Sequence, residues 1–161
     1  MNLLSQTRYL ATASLASSVV IPKSSSALVT IDLGNVITNL PNNSMVRVSN
    51  LNATLQTDAG GATTLTVQSA ALVVPGQIGA PMFSGQPLGL ADRAAFQAEM
   101  RFRDTDVASP SAIDVQLQVT VANTDSASDH DITSFNCKLA IEIATFDAPV
   151  YADGLIGIQG N

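Results

Sequence analysis

Cys137 and His130 are the two side chains here with the chemistry of a nucleophile and a base, and each is the only residue of its type. Nucleophilic attack needs a thiol of lowered pKa with the imidazole within hydrogen-bond reach. In Phe135-Asn136-Cys137-Lys138-Leu139-Ala140-Ile141-Glu142-Ile143 the odd positions read Phe, Cys, Leu, Ile, Ile. That alternation puts the sulfur on the buried side of a strand, where a free cysteine packs as a small apolar group. His130 belongs to Asp125-Ser126-Ala127-Ser128-Asp129-His130-Asp131, whose Asp125, Asp129 and Asp131 offer the hard oxygen ligands that Ca²⁺ takes. The run lacks the central glycine and distal glutamate of an EF-hand loop, so it reads as a solvated hairpin turn, with Ca²⁺ binding left open. Arg101, Arg103, Asp104 and Asp106 make a charge-mixed strand end, suited to keeping an edge soluble or to pairing with a neighbouring subunit.

Other chemistries lack their residues. No serine stands in Gly-x-Ser-x-Gly, and no Gly-x-x-x-x-Gly-Lys is present to cradle phosphate. A lone cysteine builds neither an intrachain disulfide nor a thiolate metal site. A pI of about 4.3 with no Trp, two Tyr and five Phe argues against direct nucleic-acid contact and against sugar-stacking platforms. Asn42-Asn43-Ser44 and Asn52-Ala53-Thr54 match the glycosylation sequon, which has meaning only in a secreted protein. No catalytic, cofactor-binding or metal-binding residue is assigned, no cofactor is expected, and the chain is not expected to be an enzyme.

The elements that must position these residues show a period of two, the mark of half-buried strands. Phe96, Ala98, Met100 and Phe102 alternate with Gln97, Glu99, Arg101 and Arg103. Val115, Leu117, Val119 and Val121 repeat the pattern, as do Leu65, Val67, Ser69, Ala71 and Val73, and Ala27, Val29, Ile31 and Leu33. From Met45 to Thr57 the phase slips between Val46, Val48 and Ala53, Leu55, which predicts one bent strand with a β-bulge near Ser49-Asn50. Further strands are expected at Leu10 to Ala16, Ser18 to Ile21, Asn35 to Asn39 and Leu155 to Gln159. Turn-forming clusters separate them at Pro22 to Ser26, Asn39 to Ser44, Asp58 to Ala62, Asp104 to Ser111 and Asn123 to Asp131. Asp58-Ala59-Gly60-Gly61 reads as a hairpin in which glycine supplies positive φ. Pro75 to Leu90 is an apolar Pro/Gly-rich loop that packs on its own domain or on a neighbour, and a short helical turn is placed at Leu88 to Ala95.

The expected fold is all-β: an eight-stranded antiparallel β-sandwich, best matched by a single jelly roll, with fibronectin-like and up-and-down topologies still open. The 161 residues are expected as one domain. Segments 1–22 and 147–161 are expected either as arms reaching neighbours or as ordinary first and last strands. Thr12, Ser14, Ser17 and Ser18 dilute the apolar run after Arg8, so a cleaved leader is not expected and folding in a reducing cytoplasm is. No run approaches the ~18 apolar residues of a membrane span.

Only 12% of residues are charged against 46% hydrophobic, with a net charge of −6 and a mean hydropathy of +0.26. Ser, Thr, Asn and Gln carry the polarity instead. A disulfide-free, acidic, all-β chain of this composition, with Pro/Gly-rich apolar loops and no catalytic set, resembles the small single jelly-roll virion proteins of icosahedral phages. The resemblance covers the pattern of the whole chain and rests on no motif, so no residue role is carried over. It implies a structural virion protein, a capsid, vertex or decoration subunit, that self-assembles through weakly charged surfaces. Homo-oligomers and other virion proteins are then the partners, and the virion, after synthesis in the host cytoplasm, is the location. The alternative is a β-sandwich binding module: an adhesin, a pilus-like subunit or a receptor-binding spike.

Overall fold

The structure is a computed structural model describing residues 2–74, 84–85 and 99–150. Nine strands follow one another: β1 (Leu3–Ser14), β2 (Val19–Ile21), β3 (Ser26–Thr38), β4 (Ser44–Thr57), β5 (Leu65–Val73), β6 (Ser84–Gly85), β7 (Glu99–Arg103), β8 (Ala112–Asn123) and β9 (His130–Phe146). They form two antiparallel sheets, ordered β1-β9-β4-β7 and β3-β8-β5-β6, and β2 also pairs with β9. β1 meets residues 136–146 of β9 and β2 meets 130–132, so both occupy one edge position, and nine strands fill eight places. The chain crosses between sheets at each of β2–β3, β3–β4, β4–β5, β6–β7, β7–β8 and β8–β9, which is the jelly roll. Among the described residues no helix is long and apolar enough to cross a membrane.

Alternation builds the core. On β8 every second residue from Ile113 to Val121 is fully buried, and β9 faces it with Ile132, Phe135, Leu139 and Ile141. β8 and β9 are interior strands of their sheets, paired on both sides, and so carry the most regular apolar faces.

Bulges keep the faces in phase. In β4 the ladder with β9 steps from Asn50↔Leu139 to Asn52↔Lys138, and Val46, Val48, Ala53 and Leu55 all face inward, as the sequence predicts. β5 departs from expectation: Leu65 and Val67 are buried, but then Ala70 and Leu72, because a register shift between Val67 and Ser69 reverses the parity. Uninterrupted alternation would have turned Ser69 and Ala71 inward in place of Ala70 and Leu72, and burying an unpaired hydroxyl is costly. The expected strands at 27–33 and 35–39 are one strand, β3. Two register irregularities between Asp32 and Ile37, with Gly34 at φ +71°, add two residues and return Ile37 to the buried face.

Asp58–Ala62 is not a hairpin. Its flanking strands lie in different sheets, Gly60 has φ −78°, and Gly61–Thr64 forms a single helical turn, α1. β1 and β2 pair with β9 of the same chain, and β1 begins seven residues earlier than the alternation shows. The expected strand at Leu155 to Gln159, the turn at Leu88 to Ala95, most of the loop Pro75 to Leu90 and residues 96–98 lie outside the described residues.

Candidate functional site

Where β9 begins, the structure corrects the reading of the acidic run. His130 opens the strand and is buried, 8% exposed, between two carboxylates. Its Nδ1 lies 3.1 Å from Asp58 Oδ1, and its Nε2 lies 3.0 Å from Asp125 Oδ2. With a carboxylate at each ring nitrogen, the imidazole is satisfied on both sides only as the doubly protonated cation. The hydrogen bond to Asp125 foremost, then Asp58, holds its pKa above the ordinary 6.5. Burial pushes Asp58 up, but the Asp131 and Gly61 amides and His130 bring it below its ordinary value. Asp125 is lowered by the Ala127 amide and then by His130.

The glycine at 60 answers to space: a Cβ there would stand 2.2 Å from His130 Cε1. Asp129 turns elsewhere, its carboxylate accepting from the Lys23 amide, and the backbone amide of Asp131 donates to Asp58. The run is therefore a pinned connection, and the structure does not gather Asp125, Asp129 and Asp131 around a common point.

The pH sign follows from these shifts. A raised histidine contributes fully below 6.5 and loses its contribution as pH rises through the folded-state value. The lowered aspartates contribute fully above 3.8 and lose it as pH falls through theirs. The cluster is thus expected to stabilise most between these ordinary values. Melting temperature against pH checks this, and Gly60→Ala, which displaces the ring, is expected to flatten the alkaline limb.

Cys137 is buried on β9, and burial pushes its thiol up to about 12, opposite to what a nucleophile requires. Both nitrogens of His130 are occupied by aspartates, so the structure does not join the two as a pair.

The charge-mixed strand end closes on itself. Arg103 grips Asp106, and Asp104 Oδ1 accepts from the Ser44 amide. A feature that sequence alone hides runs across the outer face of the β9 sheet: Arg8, Glu142, Arg47 and Glu99 form a row, with Glu142 3.6 Å from Arg8 and Glu99 2.9 Å from Arg47. Arg101 joins it through Glu99 at 2.8 Å. These residues come from four strands and only the pairing order brings them together.

On the opposite sheet Asp114 lies beside Asp32. Burial first and then Asp32 raise the Asp114 pKa, and its Oδ1 has no hydrogen-bond partner. A raised acid destabilises the fold when ionised, so Asp114→Asn is expected to add roughly 0.5 kcal/mol at neutral pH, the scale of a partly exposed charge pair. Urea unfolding at pH 7 and near pH 4 checks it, since the gain should shrink in acid.

Two surface features remain. Beyond the charge row, Thr12 and Ser14 of β1, Asn136 and Lys138 of β9, and Asn52 and Thr54 of β4 line a shallow depression of about 330 Å³. Leu3, Leu4 and Leu10 of β1, Val20 of β2 and Leu28 of β3 are each more than half exposed, Leu10 and Val20 on the outer face of the β9 sheet and Leu28 on that of the β8 sheet, at the side where β1 lies against β3. Tyr9 Oη donates to the Val36 carbonyl there, tying the two sheets at 2.8 Å.

No family model matches the chain, and no curated protein does. Solved structures of similar shape include the VP2 subviral particle of infectious bursal disease virus, with a TM-score of 0.49 and 9% identity over 89% of this chain. The Gx strain of that virus gives a TM-score of 0.46 and 11% identity over 91% of this chain. BuGH86 in complex with neoagarooctaose gives 0.31 and 9% over 92%. This chain spans about a third of the length of the two virus chains, and 20% of the BuGH86 chain.

Proposed function

We propose that this protein is a structural subunit of a virion, a capsid, vertex or decoration protein, that acts by assembling with copies of itself and with other virion proteins. The observation that carries the reading is a surface poor in charge, 12% of residues, on which Leu4 and Leu10 of β1 and Val20 of the neighbouring β2 stand more than half exposed along one edge of the β9 sheet. Single exposed apolar residues are ordinary, but several along one sheet edge suit a contact surface. Few charges keep the desolvation cost of joining such surfaces small. In this reading the protein performs no catalysis, makes no direct contact with the genome, and resides in the virion after synthesis in the host cytoplasm.

Native mass spectrometry and light scattering across concentration and salt test it. Assemblies of defined copy number are expected, held at high salt because the surfaces are apolar. A chain that stays monomeric at every concentration, alone and with virion proteins, overturns it.

One observation favours a second reading, a ligand-binding module: the depression lined by Lys138 with hydroxyl and amide side chains. A glycan array separates the two. Specific binding abolished by Lys138→Ala supports the module, and a silent array supports the shell subunit.

A further inference from the structure

Among the described residues the two sheets end on four strands, of which β6 is described at Ser84–Gly85 alone, and two of the other three are guarded. β7 carries Glu99, Arg101 and Arg103. β3 holds Asp32 and is kinked at Gly34, where the backbone turns to φ +71°. Short length, charge and bulges are the devices by which sheet edges avoid pairing with other chains. β1 has little of this: one register irregularity at its very start, between Leu3 and Ser5, and one charge. It is 12 residues long, paired in register with β9 from Ser5 to Ser14, and its single charge, Arg8, is already met by Glu142 of its own chain. Its start is fastened, because the Asn2 amide and side chain donate to Asp147 at 2.7 and 2.8 Å.

From these observations we infer that β1 is the self-assembly contact: it pairs antiparallel with β1 of a second copy about a two-fold axis, joining two sheets into one. The inference rests on the self-assembly reading above and names its surface.

An open strand edge is a row of amide and carbonyl groups, and only another extended backbone satisfies it along its length. A second copy is the occupant favoured here for three reasons. The strand is self-complementary in charge, since neither copy brings an unmatched ion to the contact. Its outward Leu4 and Leu10 would gain cross-strand neighbours from the partner, and Val20 of β2 stands exposed on the same sheet face. The area is also sufficient. Twelve residues extend about 40 Å, and two sheets about 10 Å apart with their outer side chains present an edge roughly 20 Å high. The product, roughly 800 Å² per partner, is that of a standard stable interface.

The test uses the full chain and two readouts. In an antiparallel pair, alternate amides of β1 point away from β9. These are expected to gain hydrogen-exchange protection as protein concentration rises. Leu4→Lys with Leu10→Lys, at exposed positions, is expected to raise the dissociation constant of the assembly about a hundredfold or more while leaving the melting temperature unchanged. Gln68→Lys, on the exposed face of β5, is the control and should leave association intact.

If the wild-type chain assembles but its β1 amides stay unprotected and the double variant assembles equally well, the β1 contact is overturned while self-assembly stands. If the wild-type chain never assembles, both fall. Should the double variant not fold, the exchange pattern of the wild-type chain decides alone.

Discussion

Asn123→Asp is expected to cost at least about 3 kcal/mol, although it exchanges only one atom group for another of the same size. Asn123 ends β8 almost wholly buried, with both amide hydrogens and the side-chain oxygen engaged. Its Nδ2 donates to the Ile21 and Ser128 carbonyls, both at 3.0 Å, and its Oδ1 accepts from the Asp125 amide at 2.9 Å. These bonds hold β2 and the connection carrying Asp125 against β8, which in turn sets one of the carboxylates that flank His130. A carboxylate in that place would lose both donors and face two carbonyl oxygens with a negative charge. Burial among acceptors raises its pKa, so the loss should be greatest at neutral pH and shrink on acidification as the acid regains a proton to donate. Denaturant unfolding at pH 7 and near pH 4 measures both the size and the sign. A variant as stable as the wild type at pH 7 would show that Asn123 does not hold this corner.

The second large effect lies in the core. Phe135→Ala is expected to destabilise by about 3–5 kcal/mol. Among the described residues Phe135 is the largest fully buried side chain, in a chain with no Trp and few other aromatics to fill the space between the sheets. It sits opposite Leu55 in the β9–β4 ladder, immediately after a register shift that turns the strand from Ile132 to the odd-numbered positions. Truncation would leave a cavity lined by strands that are hydrogen-bonded on both sides and relax little. For a domain of this size the melting temperature should fall by roughly 10 °C. A scan in which it falls by only a degree or two would contradict the packing described.

Strand positions were readable because burial imposes a period of two. The bulge in β4 was readable for the same reason, since Val46 and Val48 stand out of phase with Ala53 and Leu55. The bulge in β5 was not, because Ala71 and Val73 offered an equally apolar continuation of the wrong parity. Only the position of Ser69 hinted against it. His130 escaped because its neighbours are turn formers by type, whereas its burial depends on Asp58, some seventy residues away, which neutralises it. The row from Arg8 to Glu99 escaped because alternation shows which way a side chain points and nothing about which strand lies beside it. What composition did carry was the surface, poor in charge and rich in Thr, Ser, Asn and Gln.

The order of strands also has a consequence in time. β9 lies between β1 and β4, and Leu3 pairs with Phe146 across nearly the whole described chain. Such pairing makes for high contact order and folding in the range of milliseconds to seconds. During synthesis the β9 sheet has no centre until residues 130–146 have left the ribosome. Until then β1 and β4 wait with open edges. Among the described strands the last to emerge is the one that closes this sheet, so the pace of its arrival sets how long those edges stay exposed.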